Sequence, residues 1–386
     1  MKKVKIGDVC DILNGFAFKS DKYVEKGIRI IRIANVQKGF IEDNVPTFYP
    51  MDSTGLEKYM LKEDDLLMSL TGNVGRVALL QKEMLPAALN QRVACLRLKT
   101  DRITKGFLFH ILNSDFFEQQ CVLASNGVAQ KNMSTEWLKD YEIPLYSIQE
   151  QMKIADILDK IKRIIVAKNN ELRALNELIK ARFVEMFGDC NNLISMEDVC
   201  SIITDGTHQP PKFKESGIPF ILVSNLSNNT ITYNTEKYIS EETYSALYKR
   251  TPIEIGDLLL STVGSYGHPA VVTEDTRFLF QRHIAYLKPK REIVNSFYLH
   301  SALLAPDGQR QIEEKIKGIA QKTLNLSEIR KIMIPVPEIE EQNEFADFVK
   351  RIDKSKVNYY YKNRKDGFPP LLLIYSVTTI INLSDY

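Results

Sequence analysis

Between residues 147 and 187 the apolar positions return every seventh residue. Leu158, Ile165, Leu172, Ile179 and Met186 form one column, and Ile154, Ile161 and Leu175 form a second that Lys168 and Arg182 interrupt. The stretch holds no proline or glycine, and Ser147 with Glu150 makes a capping box at its start. These features predict one long helix whose apolar columns form a coiled-coil seam. At 1.5 Å per residue, about 40 residues give a rod of roughly 60 Å.

The flanking sequence has a different rhythm. Short β-rich runs at Ile28–Ile33, Asp65–Leu70 and Val93–Leu98 are set off by turn residues such as Asn14-Gly15 and Gly72-Asn73. Later runs at Pro219–Val223, Asp257–Thr262 and Ile284–Leu287 are punctuated by Asp205-Gly206 and Gly264-Ser265. Short helices are expected around Phe107–Leu123 and Ser296–Ile316, each followed by an extended exit, Ile143-Pro144 or Ile334-Pro335. The class expected is α+β, with two β-rich domains and long helices.

These two blocks are copies of one another. Ile6-Gly-Asp-Val-Cys-Asp-Ile12 returns as Met196-Glu-Asp-Val-Cys-Ser-Ile202, and Gly27-Ile28 with Asn35 returns as Gly217-Ile218 with Asn225. Asp65-Leu-Leu-Met-Ser69 with Gly72 and Gly75 becomes Asp257-Leu-Leu-Leu-Ser261 with Gly264 and Gly267. Gln91-Arg92 matches Gln281-Arg282, Gly127-Val-Ala-Gln-Lys131 matches Gly318-Ile-Ala-Gln-Lys322, and Glu150-Gln151 matches Glu341-Gln342. The offset stays between 190 and 192 residues, far longer than a solenoid period, so a whole domain is duplicated. The boundaries expected are a first domain at 1–146, a spacer helix at 147–189, a second domain at 190–337, the start of a second helix at 338–357 and a divergent tail at 358–386. In the second helix Phe345, Val349 and Ile352 keep the heptad, but Lys356, Asn363 and Pro370 break it. Leu172, Ile179 and Met186 are therefore expected to face an open half-seam, through which the chain could self-associate.

The bulk composition narrows the function classes. The 386 residues are 44% hydrophobic and 26% charged with a net charge of +2, which fits two ordinary domains and no strongly basic footprint. The chain has no run of about 20 apolar residues, and its start lacks the apolar core of a signal peptide. No membrane association and a cytoplasmic location are expected. Five cysteines without a C-x-x-C pair, and five scattered histidines, suit neither a disulfide framework nor a metal centre. Cys10 and Cys200, at matching repeat positions in apolar runs, read as buried thiols.

No catalytic set is shared by the copies. Thr71-Gly-Asn-Val-Gly-Arg76 lacks the spacing of a phosphate-binding loop, and its partner Val263-Gly-Ser-Tyr-Gly-His268 carries other polar residues. What the copies share is a scaffold: Asp65/Asp257, Ser69/Ser261 and the glycines. What differs is what it displays. Asn73 and Arg76 stand against Ser265, Tyr266 and His268; Asn90, Gln91 and Arg92 against Gln281, Arg282 and His283. Lys19 stands against Thr207, His208 and Lys212, and Gln130, Lys131 and Asn132 against Gln321 and Lys322. Arg, Lys, Gln and Asn are side chains that read base edges and hold phosphates. Each residue alone can equally be a solvated or structural group; Gln91/Gln281 and Arg92/Arg282 in particular could simply brace the hairpin. Trp137 reads as a local packing residue.

The ordered set Gly/Glu-Asp-Val-Cys, Gly-Ile…Asn, Asp-Leu-Leu-x-Ser, Gly-x-x-Gly, Gln-Arg, Gly-x-Ala-Gln-Lys, Ile-Pro and Glu-Gln, with a long helix after each copy, resembles the specificity subunits of type I restriction–modification systems. The resemblance covers about residues 1 to 357. It implies two target recognition domains in a pseudo-twofold arrangement, each reading one half of a bipartite double-stranded DNA target. It implies antiparallel spacer helices that hold two methyltransferase subunits, with restriction subunits joining through the complex. It implies no catalysis by this chain and no cofactor of its own; S-adenosylmethionine, ATP and magnesium would be bound by the partners. An alternative is a coiled-coil scaffold whose β-rich modules bind protein or sugar. A protein-binding scaffold should display apolar anchors instead of variable polar residues.

Overall fold

The computed structural model describes residues 2–125, 132–226, 229–318 and 322–365, with side chains as far as Ser355. The chain forms two compact units, one within Met1–Ala167 and one within Lys168–Lys362.

The first unit is organised by an antiparallel sheet in the order Cys10–Asn14, Val93–Leu98, Leu66–Ser69, Val77–Leu79. Beside it lies a three-stranded sheet, Phe48–Tyr49, Ile28–Ile31, Ala87–Leu89, whose last pair is parallel. Lys3–Lys5 pairs with Glu142–Pro144, and the helices Lys105–Leu112 and Asp115–Ala124 follow the last strand of the central sheet.

The second unit repeats this plan strand for strand. Its central sheet runs Cys200–Asp205, Ile284–Pro289, Leu258–Ser261, Pro269–Val271, and its smaller sheet Tyr238–Ile239, Ile218–Ile221, Leu279–Phe280. Even the register is kept: Asn14 opposes Ala94 as Asp205 opposes Ala285. The expected runs thus became strands within a residue or two. The second unit adds the helix Glu241–Leu247, where the first has only a short turn at Glu57–Tyr59.

The central strands read as unbroken apolar runs because both of their faces are covered. Leu66 and Met68 enter one core with Phe107 and Phe117 of the helices, while Leu67 enters another with Ile31, Leu80 and Leu89. Leu258 and Leu260, against Leu259, divide in the same way. Each such side chain contributes about 1.5–3 kcal/mol on full burial. All five cysteines are free, and burial pushes the thiols of Cys10 and Cys200, both within these cores, up to about 12.

The first long helix spans Ile148–Phe187, and its capping box is formed as expected: Ser147 N donates to Glu150 at 2.9 Å and Glu150 N to Ser147 Oγ at 3.3 Å. A second, stronger root lies one residue on. Gln151 is fully buried; its Oε1 accepts from Thr104 N at 2.8 Å, and its Nε2 donates to the carbonyls of Arg102 and Tyr146, each at 2.9 Å. Gln342 does the same in the second unit, accepting from Asn295 N at 2.9 Å and donating to Ile293 O at 3.0 Å and Pro337 O at 2.9 Å. The repeated Glu-Gln pair is therefore a joint between helix and β-rich core.

Two expectations about the seam need correction. The second long helix runs Ile339–Lys365, past the expected end at 357, so Tyr359–Lys365 are helical; the remaining tail lies outside the described residues. Losing the heptad removes a partner pattern, not helix propensity, and no helix breaker stands before Gly367. Nor is the end of the first helix open. Ile179 and Met186 pack on a core with Phe345 and Val349, and Phe183 and Phe187 meet the Phe345 ring at 5.5 and 5.6 Å. Those positions face the beginning of the second helix, where its apolar pattern is intact. Leu158 is buried in the first unit, whereas Ile165, Leu172 and Ile352 are half-buried.

Replacing Gln151 or Gln342 by leucine should strand a buried N–H and two carbonyls, at a cost of about 3 kcal/mol or more. Urea unfolding measures it; a loss below roughly 1 kcal/mol would mean the joint is not structural.

Candidate nucleic-acid interface

Because both faces of the central sheet are covered, its polar display is confined to the strand ends. In the first unit the four sets read from the sequence meet at one end, and backbone hydrogen bonds place their described residues side by side. Phe16 N donates to Leu89 O and Gln91 N to Phe16 O, so Phe16–Lys19 lies against Asn90–Arg92. Leu70 N donates to Arg92 O, which brings in the glycine hairpin. Thr71 bridges to Asn132, with Thr71 Oγ1 and Asn132 Oδ1 2.9 Å apart, and Met133 N donates to Leu70 O.

The second unit assembles the same row. Thr207 N donates to Phe280 O and Arg282 N to Thr207 O; Thr262 N donates to His283 O; Leu324 N donates to Thr262 O and Gly264 N to Lys322 O. The close approach that starts the row requires glycine: a Cβ on Gly15 would sit 2.1 Å from Asn90 O, and one on Gly206 2.3 Å from Phe280 O.

The shared scaffold residues brace the central strand at both ends, Asp65 and Asp257 at the end away from the row and Ser69 and Ser261 at the row itself. Asp65 accepts from Lys62 N and from Arg97 Nε, each at 2.8 Å. Buried Asp257 accepts from Glu254 N at 2.9 Å and Tyr286 Oη at 2.8 Å, and burial raises its carboxyl above the usual range. Ser69 Oγ accepts from Arg76 N at 3.1 Å, and Ser261 Oγ from His268 N at 3.0 Å, closing both glycine hairpins. Gly72, Gly75, Gly264 and Gly267 all have φ between 72 and 82°, which only glycine adopts readily. Asn35 and Asn225, also repeated, brace turns: their Oδ1 atoms accept from Arg32 N at 2.9 Å and Leu222 N at 3.0 Å.

The displayed residues divide into two groups. Lys19, Asn73, Gln91, Arg92 and Asn132 are exposed in the first unit, as are His208, Lys212, Ser265, Arg282 and Lys322 in the second. Asn90, Thr207, Gln281 and His283 are half-buried within the row. Burial, then the neighbouring Arg282 charge, holds His283 below the ordinary histidine range; its neutral Nε2 accepts from Arg282 Nε at 3.2 Å. Gln130, Lys131 and Gln321 lie outside the described residues.

Several of the expected readers are engaged by internal partners. The Arg76 guanidinium bonds Gln37 and lies 3.8 Å from Glu118 on the helix Asp115–Ala124. His268 Nδ1 lies 3.0 Å from Asn229 Oδ1, and Tyr266 Oη donates to Glu313 at 3.1 Å. These side chains turn from the hairpin towards the adjoining elements, a direction that spacing alone does not encode. Trp137 packs locally with Phe117 and Tyr141.

One group at the row carries no repeat signal. Arg250, just after the added helix Glu241–Leu247, donates from Nη2 to Asp205 Oδ1 at 2.7 Å, while His208 Nε2 lies 2.8 Å from Asp205 Oδ2. Among the described residues no cluster of three His, Cys, Asp or Glu could hold a metal ion, and no helix is long and apolar enough to cross a membrane.

Known proteins share this architecture. The family model described as "Type I restriction modification DNA specificity domain" matches residues 1–177 and again 192–360. The type I restriction enzyme EcoBI specificity subunit of Escherichia coli is 27% identical over 386 aligned residues, which cover 91% of this chain and 78% of that protein. The MjaVIII specificity subunit of Methanocaldococcus jannaschii is 32% identical over 184 residues, 46% of this chain and 43% of the relative. Among solved structures, the type I restriction–modification S subunit from M. genitalium has the same fold, with a TM-score of 0.55 at 16% identity over 97% of this chain and 93% of that one. The chain therefore belongs to the DNA specificity subunits of type I restriction–modification systems, carries their specificity domain twice, and serves recognition, not catalysis.

Proposed function

We propose that each unit's row reads one half of a bipartite double-stranded DNA target. In this reading residues 1–146 and 190–337 are the two target recognition domains, and the long helices recruit methyltransferase subunits, two per complex. Restriction subunits join through that complex, and S-adenosylmethionine, ATP and magnesium ions belong to those partners. The observation that carries the reading is the pairing of one scaffold with two displays: the same hydrogen bonds build both rows, yet the exposed side chains differ. A reader of two different half-sites needs that combination. A protein-binding scaffold would instead offer apolar anchors, and the exposed members of both rows are polar.

The near-neutral charge of +2 fits a subunit that places base-reading groups while its partners neutralise much of the phosphate backbone. Exposed Arg, Gln and Asn side chains at the rows can make paired hydrogen bonds to base edges.

The chain co-expressed with its methyltransferase subunits should methylate a split motif, read by methylome sequencing. Joint Gln91→Ala and Arg92→Ala substitution should relax one half of that motif, and Arg282→Ala the other, each by about 1–3 kcal/mol of discrimination. Equal loss at both halves would count against one reader per unit. Arg76→Ala should behave differently. It removes internal bonds to Gln37 and Glu118, so it should lower the melting temperature and leave base selectivity in place; selective relaxation at one base would restore Arg76 as a reader.

A further inference from the structure

The loop after strand Cys200–Asp205 and the helix Glu241–Leu247 enclose a cleft of about 500 Å³ at the edge of the second row. Thr207, His208 and Lys212 line one side, Thr243 and Arg250 the other. Asp205 stands between them and meets both side chains, Arg250 through one oxygen at 2.7 Å and His208 through the other at 2.8 Å. The carboxylate is mostly shielded, with 19% of its side chain exposed, whereas Arg250 and His208 are 50% and 54% exposed. The pair thus has a buried brace and two solvent-facing heads.

We propose that Arg250 is a specificity-determining residue that reads a guanine in the second unit's half-site, with Asp205 as the positioning residue that fixes its fork. This rests on the reading of that unit as a half-site reader. The chemistry follows from the guanidinium: one Nη2 hydrogen held by Asp205 leaves further N–H groups in the same plane. Guanine O6 and N7 in the major groove offer the matching pair of acceptors.

Two further observations favour a base over a phosphate. First, both partners are mounted on ordered elements. Asp205 ends a central strand and opposes Ala285, while Arg250 follows a helix anchored by Tyr244 and Tyr248, whose rings lie 5.1 Å apart. A braced arginine loses little freedom on binding and tolerates little misalignment, as base reading demands. Second, the first unit has no counterpart. Asn14 occupies the strand position of Asp205, and Tyr59 there packs on Phe16 with centroids 5.2 Å apart. Phosphate contacts set position and would serve both copies alike, whereas base contacts must differ between half-sites.

The test uses the full chain in complex with its methyltransferase subunits, with the methylated motif read by sequencing from a randomised DNA library. Arg250→Ala should relax one guanine position in one half-site by about 10- to 100-fold, leaving the other half-site unchanged. Asp205→Asn should relax the same position less. Arg250→Lys keeps the charge but not the fork, so it should also relax that position; undiminished selectivity in that variant would overturn the proposal. Uniform weakening over all sequences, with a salt slope lower by about one, would make Arg250 a phosphate contact and overturn it too. An unchanged motif in all three variants refutes the guanine reader alone. If the unsubstituted complex yields no split motif, the half-site reading itself fails.

Discussion

A central sheet covered on both faces is the constraint from which the site follows. Each unit spends both sides of Leu66–Ser69 or Leu258–Ser261 on cores, so no face is left to meet a ligand. Polar side chains can emerge only where strands end. The chain then makes one end productive by bringing four segments into lateral register there, through the glycine approach at Gly15 or Gly206 and the bridges to Asn132 or Thr323. Separation of roles follows directly. Residues inside the strands, with Asp65/Asp257 and Ser69/Ser261, are fixed by packing and hydrogen bonding; those just beyond can vary without disturbing the core.

The buried glutamines extend the same logic to the helices. A long helix attached to a domain by a flexible link transmits no orientation. Gln151 and Gln342 each tie the first turn of a helix to two other segments of its own unit, with every side-chain donor and acceptor use made inside the core. Because an unmet buried amide costs about 1–3 kcal/mol per group, the joint has one geometry rather than several.

Much of this was legible in the sequence because duplication separates constraint from display. Positions that return after 190 to 192 residues, such as Asp65/Asp257 and Gln151/Gln342, proved to be scaffold and joint. The convergence of Phe16–Lys19, Asn90–Arg92 and Asn73 was not legible, since it depends on which strand ends share a side of the sheet. The internal partners of Arg76 and His268 were not legible for a related reason. The hairpin position of both residues is fixed by glycines and Ser69/Ser261, but the direction of their side chains is set by Glu118, Gln37 and Asn229, which are remote in sequence. The length of the second helix was misjudged because a heptad reports what a helix packs against, not whether it continues.

Arg250 marks the limit of reading by repeats. Comparing the copies finds what both retain and flags aligned positions where they differ; it says nothing of a residue carried by an element present in only one. The helix Glu241–Leu247 stands where the first unit has only the short turn Glu57–Tyr59, so Arg250 aligns near Tyr59, in a segment that folds differently. Yet segments that fold differently in the two copies are where duplicated readers should diverge most. Substituting a row residue changes one contact on a shared surface, whereas an added helix builds a new wall, here the far side of a cleft beside Thr207 and His208. Specificity in this chain thus has two sources: side-chain exchange along a common row, and new structure placed against it.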